Sequence, residues 1–308
     1  MTLIDCINSQ INANVAETKQ MARENLMVKV SKNISRLGAL LAMVCAATAA
    51  HAVSYDITTV SRPGAFLTQL FDINNAGQAV GFSSDSLNGN NSAFIYSSGT
   101  FTALTGPAGA VSTSALGISD GGIVVGDFST TTLGPTQSFI YSGGTYTTFA
   151  IAGATDTFAR GVSPDGRYIS GYYDNGTVSG QGFILDTLTN TVTFVGDGGT
   201  DNFTIAQGIN SSYVLVGSDI ISSTTPSTRP GFIYDIGTAT RTDVLLPGTT
   251  RTTFRAIDDN GIISGWYVSG GIDHGFSGYP GSLDTIDVIG ADGTFIEGSN
   301  NARVLVGN

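Results

Sequence analysis

The chain alternates short apolar segments with turns rich in Gly, Asn and Asp, and one nine-residue phrase recurs through it. In each copy a polar turn is followed by an apolar segment that ends in glycine. The copies are INNAGQAVG, ISDGGIVVG, SPDGRYISG, INSSYVLVG, IDDNGIISG and SNNARVLVG, which end at Gly81, Gly126, Gly171, Gly217, Gly265 and Gly307. These closing glycines are 45, 45, 46, 48 and 42 residues apart, a spacing that indicates repeated supersecondary units.

Each repeat predicts four β-strands. A first apolar strand, as in LGI at 116–118 or RGV at 160–162, leads into a hairpin turn where Gly or Asn supplies the positive φ that the turn requires. The second strand contains the closing glycine. The third is aromatic, as in SAFIY at 92–96, and the fourth is rich in Thr, as in TYTTF at 145–149. No segment has a sustained helical period, so the sequence predicts an all-β domain.

Units of this length are typical of propeller blades, and we predict a β-propeller of about six four-stranded blades over residues 53–308. A β-sandwich would not repeat so regularly, and a parallel β-helix uses shorter coils. The segment VSYDITTV at 53–60 is predicted to be a strand, and the sixth copy ends after its second strand. We therefore expect the last blade to be incomplete, or to be closed by the N-terminal strand.

Residues 27–52 are interpreted as a secretory signal peptide. Lys29, Lys32 and Arg36 precede an apolar run at 37–47, which is followed by the cleavage signal AHA at 50–52. The apolar run is shorter than the roughly 20 residues that span a bilayer. Residues 1–26 are interpreted as an extension from a misassigned start. The mature chain, 53–308, is therefore expected to be secreted, with an extracellular or periplasmic location.

Composition narrows the chemistry of this mature chain. Cys6 and Cys45 both precede the predicted cleavage site, and His274 is the one histidine that follows it. Disulfides and paired-histidine metal sites are thereby excluded. From residue 53 onward there are eight arginines, no lysine and 21 acidic residues, a net charge of −13, which disfavours nucleic acids and anionic membranes as partners. We expect no cofactor, no metal and a monomer.

The aromatic residues that follow the closing glycines are candidate ligand-binding residues. They are Phe82, Phe128, Tyr172, Tyr173, Trp266 and Tyr267. Flat rings suit sugar rings, and the neighbouring Trp266 and Tyr267 are the first candidates; the alternative is that these aromatics pack between blades. The connections between second and third strands vary in length and sequence. On a propeller they gather on one face. There they either form a binding platform or vary in sequence because solvated loops are under little structural constraint.

Carboxylates and the single histidine give weaker signals. Asp258 with Asp259, and Asp197 with Asp201, have the oxygen ligands that Ca²⁺ prefers, but Asp beside Gly is ordinary turn chemistry and no complete calcium loop is present. No G-x-S-x-G motif accompanies His274, which is predicted to be a strand residue satisfied by hydrogen bonds. No catalytic residue is predicted.

The repeats resemble those of the HAF-repeat family of exported bacterial proteins, named for a His-Ala-Phe signature. The signature positions are SAF at 92–94, QSF at 137–139, QGF at 181–183, PGF at 230–232 and HGF at 274–276, and the accompanying G-I-N-x-x-G-Q-x-V-G phrase is matched best at 72–81. The resemblance covers residues 53–308. It implies propeller-like extracellular repeats and no catalytic residues. Many relatives carry a C-terminal Pro-Glu-Pro sorting signal, a motif absent from this sequence.

One phrase gives a second resemblance. SPDGRYISG is similar to the phrase found in the propeller repeats of periplasmic translocation and peptidase proteins. This similarity implies the same fold as the repeat period does, and it adds no functional residue.

These observations predict a secreted, noncatalytic repeat protein. It would act as a binding or structural module at the cell surface or in the extracellular matrix, with a glycan as the candidate ligand. The alternative is a polysaccharide hydrolase or lyase that uses Asp carboxylates near the ring axis. Carboxylates converging beside Trp266 would favour the enzyme, whereas Ser, Thr and aromatic side chains there would favour binding. A purely structural envelope protein is the third possibility.

Overall fold

The computed structural model describes residues 55–87, 89–132, 134–177, 180–196, 202–221 and 229–308. The interpreted upstream extension, 1–26, and signal peptide, 27–52, lie outside the described residues. All regular secondary structure in the described part is β-strand. Across these ranges no helix has the length and apolar character needed to cross a membrane.

The strands form consecutive antiparallel sheets in chain order. The first sheet contains β1 (Leu67–Ile73), β2 (Ala79–Ser84), β3 (Ser92–Ser97) and β4 (Thr100–Ala103). The second contains β5 (Ser112–Ile118), β6 (Val124–Ser129), β7 (Gln137–Ser142) and β8 (Thr145–Phe149). The third contains β9 (Asp156–Val162), β10 (Tyr168–Asp174), β11 (Gln181–Asp186) and β12 (Thr191–Phe194). The fourth sheet contains β13 (Asn202–Ile209), β14 (Val214–Ile221), β15 (Gly231–Asp235) and β16 (Thr240–Val244). The fifth contains β17 (Arg251–Ile257), β18 (Ile263–Ser269), β19 (Ile272–Tyr279) and β20 (Ser282–Ile286). The sixth contains β21 (Ile296–Ser299) and β22 (Leu305–Gly307).

The sheets are arranged as the blades of a propeller. The first strand of each sheet contacts the first strand of the next, and β21 contacts β1, so the inner strands form a closed ring. The predicted propeller is confirmed and its blade count is corrected. The described residues form five four-stranded blades, and the sixth sheet has two strands.

The N-terminal segment does not complete the sixth sheet. Residues 55–66 contain no strand, so the expectation that this segment supplies a strand to the last blade is wrong for the part of it that the structure describes. Val60 instead packs against an apolar cluster that joins Leu70 and Phe94 of the first blade to Val306 of the sixth sheet. The segment contributes an apolar side chain to the closure rather than backbone pairing.

A β-bulge in every inner strand explains the closing glycines. The register shifts between Leu70 and Asp72 in β1, and corresponding shifts occur in the inner strand of every other sheet. Beside the bulge, a Cβ on Gly81 would overlap the carbonyl oxygen of Gln69, and a Cβ on Gly126 would overlap that of Ser114. Only hydrogen fits there, so each repeat of the phrase ends in glycine.

The third-strand phenylalanine is the cross-strand partner of the closing glycine. The five pairs are Gly81 with Phe94, Gly126 with Phe139, Gly171 with Phe183, Gly217 with Phe232 and Gly265 with Phe276. All five phenylalanines are fully buried. They belong to clusters that join neighbouring blades, so the phenylalanine of the repeated motif anchors the core between blades.

Hairpin turns link the blades at one end of the ring. Asn74, which follows β1, fixes its own turn by accepting hydrogen bonds from the backbone amides of Ala76 and Gln78. Its Nδ2 donates to the carbonyl oxygen of Ser119 in the next blade at 3.0 Å. Asn300 of the sixth sheet does the same to Asn74 at 3.0 Å, across 226 residues of sequence. Side-chain hydrogen bonds thus join the two ends of the ring.

Substitution of a closing glycine tests the bulge. Gly126→Ala is expected to lower the free energy of unfolding by about 1–3 kcal/mol, because the new methyl group must displace backbone. Gly121→Ala in the same blade is the control, since its nearest neighbour would be Ser119 Oγ at 3.9 Å. Urea unfolding measures both. Equal stability of the two variants would contradict the packing argument.

Removal of the Asn300 side-chain amide, which bonds the sixth sheet to the first blade, tests how the ring is closed. Asn300→Ala loses the bond to Asn74 and its own turn contacts with Ala302 and Val304, and is expected to cost about 1–3 kcal/mol. Backbone amides of β21 and β22 should lose hydrogen-exchange protection before those of β9. Asn260→Ala is the control, because that exposed asparagine donates to Asp258 within its own turn. Uniform loss of protection would argue against a local closure.

Candidate functional site

The bulged residue of each inner strand lies at the axis. These six residues, here called the axial ring, are Phe71, Leu116, Arg160, Gln207, Arg255 and Glu297. Each of them is followed in the sequence by Gly or Ala, except in β1, where the next residue is Asp72. A bulge leaves one residue without a cross-strand partner and redirects its side chain. The axial ring lines a cavity of about 70 Å³ that opens among the hairpin turns, here called the hairpin-side cavity.

A second cavity of about 170 Å³ lies between the fourth and fifth blades, and we call it the loop-side cavity. It is lined by Ile205, Gln207, Ser218, Asp219, Ile220, Arg229, Arg251, Thr253, Arg255 and Trp266. Arg251 begins β17 and Ile220 lies near the end of β14, which are the strand ends away from the hairpin turns. Gln207 and Arg255 line both cavities, so the axial ring lies between them.

The wall of the loop-side cavity carries buried polar atoms without hydrogen-bond partners in the described part of the chain. They are Gln207 Nε2, Asp219 Oδ1, Arg251 Nε and Trp266 Nε1. Gln207 is 4% exposed and Trp266 is 7% exposed. Buried polar groups in proteins are nearly always hydrogen-bonded, and leaving one unpaired costs roughly 1–3 kcal/mol. The wall therefore offers hydrogen-bonding groups to whatever occupies the cavity.

Arginines dominate the charge around this cavity. The Arg251 guanidinium lies 4.3 Å from the centre of the Trp266 ring, and its Nη1 is 3.9 Å from Asp273 Oδ1. Burial lowers the pKa of Arg251, and repulsion from Arg229 lowers it further. The Arg255 guanidinium pairs with Glu297 at 2.9 Å, while burial lowers its pKa as well.

Three carboxyl groups near the axis are partly or fully shielded from solvent. Asp72 accepts hydrogen bonds from the backbone amides of Ile73 at 2.8 Å and Ile118 at 2.9 Å. Burial nevertheless raises the pKa of Asp72 to about 7. Burial also raises the pKa of Asp127 and the pKa of Glu297, although neighbouring arginines oppose the shift. Asp219 is the one carboxylate of the described residues that lines the loop-side cavity.

The six aromatic candidates divide into two groups because successive strand residues face opposite sides of a sheet. Phe82, Tyr172 and Trp266 face the axis: Phe82 stacks on Phe71 at 5.3 Å, Tyr172 Oη accepts a hydrogen bond from Arg160, and Trp266 lines the loop-side cavity. The other three lie on the opposite side.

Phe128 and Tyr173 are buried in the clusters between blades. Tyr267 is half-buried and packs against the cluster between the fourth and fifth blades. Trp266 and Tyr267, which are neighbours in the sequence, therefore do not form one surface.

Sequence reasoning missed the arginines near the axis, although a signal exists for Arg160 and Arg255, which occupy the bulge position. In the first strands the residue before the Gly-Ile or Gly-Val pair is Leu116, Arg160 or Gln207. A charged or amide side chain in an otherwise apolar inner strand is the mark of a residue that does not pack between blades. That position is the bulge, and its polar members point to the axis.

The remaining candidates take structural positions. Asp258 accepts hydrogen bonds from the backbone amides of Asn260 and Ile262, and Asp259 accepts one from Ser211 of the preceding blade. Both belong to the hairpin turns. His274 lies in β19, where Nδ1 is 3.0 Å from Asp287 Oδ2.

Asp197 and Asp201, the other proposed calcium pair, lie outside the described residues. Among the residues with described positions, no three His, Cys, Asp or Glu side chains are grouped to hold a metal ion.

Comparison with known proteins identifies the fold. A prolyl endopeptidase shares 12% identity, with 75% of this chain and 36% of that chain covered and a TM-score of 0.51. TolB from Acinetobacter baumannii shares 16% identity over 71% of this chain and 52% of its own, also with a TM-score of 0.51. The chain thus spans well under two thirds of either protein.

The β-propeller domain of the Trilobed protease from Pyrococcus furiosus aligns with 14% identity over 79% of each chain and a TM-score of 0.46. No model of a known protein family matches the sequence, and no curated protein matches it. The class that the structure defines is a β-propeller with a polar cavity at its axis.

The raised pKa of Asp72 predicts a pH dependence of stability. The folded pKa of about 7 exceeds the value of 3.8 for a free aspartate, so the folded state holds the proton more tightly. This contribution to stability is present below about pH 4 and is lost as the pH rises through 7. Asp72→Asn is therefore expected to reduce the fall in unfolding free energy between pH 5 and pH 8.

Urea unfolding at the two pH values measures this fall. Asp85→Asn, which removes the charge of an exposed aspartate, is the control for net charge. An unchanged pH dependence in Asp72→Asn would show that Asp72 does not titrate in the folded state as described.

Proposed function

We propose that this protein is an exported, noncatalytic binding module whose ligand site is the loop-side cavity and whose ligand is a glycan. The observation that carries the proposal is the set of unpartnered buried polar atoms on the cavity wall, above all Gln207 Nε2 and Trp266 Nε1. Ligand sites are concave and carry a few convergent polar groups that fix orientation. Export rests on the signal-like segment at 27–52 and on the resemblance to exported repeat proteins.

The lining favours binding over hydrolysis. A glycosidase requires two carboxyl groups held on either side of the scissile bond. Asp219 is the single carboxylate lining the described part of the cavity, and it forms an ion pair with Arg241 of β16. Ser218, Thr253 and Trp266 complete a lining of the type expected for a binding protein. This composition supports a noncatalytic role.

The role proposed for Trp266 changes from stacking to hydrogen bonding. Arg251 lies over its ring, and Phe295 contacts it edge-on at a centroid distance of 5.2 Å. Because Trp266 is also buried, little ring surface remains on which a sugar ring could stack. The indole N–H is unpartnered, so Trp266 is proposed to donate a hydrogen bond to a ligand oxygen. Phe82 and Tyr172 also face the axis but do not line the loop-side cavity, so their role as ligand contacts stays a prediction outside this proposal.

Trp266 is the only tryptophan in the sequence, so its fluorescence reports directly on the cavity. Titration with a panel of neutral and acidic oligosaccharides is expected to change the Trp266 emission for at least one member. Gln207→Leu should weaken that binding roughly 3- to 10-fold, because it removes one neutral hydrogen-bond donor. Gln137→Leu, which changes an exposed glutamine on β7, should bind as the unsubstituted protein does.

Two results would overturn the proposal. The first is the absence of binding by any oligosaccharide at millimolar concentration, or binding that Gln207→Leu leaves unchanged. The second is the appearance of new reducing ends during incubation with a bound oligosaccharide, which would assign the site to the hydrolase alternative.

A further inference from the structure

The loop-side cavity combines an excess of positive charge with an excess of hydrogen-bond donors. Three of its lining residues, Arg229, Arg251 and Arg255, are arginines. The chain has eight arginines and 21 acidic residues from position 53 onward, so a cavity bordered by three arginines is unlike the rest of the protein. A cleft lined by charges of one sign concentrates ions of the opposite sign, which here are anions.

Two carboxylates near these arginines already have cationic partners. Asp219 is paired with Arg241, and Glu297, which does not line the loop-side cavity, is paired with Arg255. Arg251 has a weaker partner, because its Nη1 is 3.9 Å from Asp273 Oδ1 and its Nε has no hydrogen-bond partner within the described ranges. Arg251 therefore has an unmet demand for a hydrogen-bond acceptor.

The unpartnered polar atoms on the cavity wall likewise include more donors than acceptors. Gln207 Nε2, Arg251 Nε and Trp266 Nε1 are donors, and Asp219 Oδ1 is an acceptor. A ligand that satisfies the wall must supply more acceptors than donors. Carboxylate meets this requirement, since its two oxygens only accept hydrogen bonds and match the planar fork of a guanidinium.

We propose that the loop-side cavity binds the carboxylate of an acidic saccharide, with Arg251 as its main charged partner and Gln207 and Trp266 as neutral donors. This inference rests on the proposed function and names the ligand class for the same site. The volume of about 170 Å³ accommodates a carboxylate and part of one sugar ring, while the remainder of the saccharide extends toward solvent. Burial and repulsion from Arg229 lower the pKa of Arg251, and a bound carboxylate would oppose both effects.

The experiment compares four probes by Trp266 fluorescence and calorimetry: oligogalacturonate, its methyl ester, a neutral galactose oligosaccharide and acetate. Oligogalacturonate is expected to bind at least tenfold more tightly than its methyl ester, because esterification removes the charge and leaves the sugar intact. Its affinity should fall as the salt concentration rises.

Variants identify the charged partner. Arg251→Met keeps an unbranched apolar stem, removes the donors and the charge, and is expected to weaken oligogalacturonate binding roughly 10- to 100-fold. Arg303→Met removes an arginine whose side chain is 40% exposed and should leave binding unchanged. If Arg251→Met does not fold by circular dichroism, Trp266→Phe measured by calorimetry provides the second test, with an expected loss of roughly 3- to 10-fold.

The outcomes separate the two proposals. Equal binding of the ester and the acid, or full binding by Arg251→Met, overturns the carboxylate inference and leaves glycan binding standing. Binding of acetate as tight as that of oligogalacturonate supports a carboxylate site and overturns the saccharide as its source. No binding by any probe overturns the carboxylate inference, and the glycan panel then decides the proposed function by itself.

Discussion

The bulge in each inner strand brings a backbone carbonyl so close to the second strand that the facing residue can carry no side chain. This steric constraint sets the closing glycine of each repeat, as Gly126 against Ser114 illustrates. At Gly171 and Gly217 the glycine also leaves space for the phenylalanine ring across the sheet, and that ring fills the space between blades. The bulged residue itself is turned to the axis. One local irregularity therefore determines the repeated phrase, the anchor of the core and the lining of the cavity.

The ring is closed by side chains instead of by a shared strand. Each described sheet consists of strands that are consecutive in sequence, so no sheet combines the two ends of the chain. Asn300 and Asn301 reach Asn74 and Asn75 across the junction, with bonds of 3.0 and 2.9 Å. The same type of contact joins other neighbouring blades, as between Asn210 and Asp258. The junction is therefore chemically equivalent to the internal joints, although the last sheet has two strands.

The sequence was sufficient to predict the fold because its signals are local and repeated. Turn residues, strand length and the spacing of closing glycines all depend on contacts within one repeat. The strand predicted at 53–60 is not formed over 55–60, because a strand exists only where another edge pairs with it. Val60 contacts an apolar cluster instead. The number of complete blades depends on the same long-range pairing.

The candidate site was predicted in part. Trp266 lines the loop-side cavity, and Phe82 and Tyr172 occupy the same axis-facing position of their repeats, whereas Phe128, Tyr173 and Tyr267 are one residue out of phase. Arg251 and Arg255 belong to the fifth blade, whereas Gln207 belongs to the fourth and is distant from them in the sequence. The three side chains line one cavity because the ring places these two blades side by side. The unpartnered state of Gln207 and Trp266 is likewise a property of the assembled cavity.

The bulge also separates what the protein recognises from what makes it fold. A bulged residue has no cross-strand partner and does not fill the space between blades, so its identity is free of both requirements. The six occupants of the axial ring accordingly include an aromatic, an aliphatic, an amide, two cations and an anion on nearly identical backbones. A handful of single-codon changes around the axis could thus re-specify the ligand of such a scaffold while its architecture is inherited unaltered.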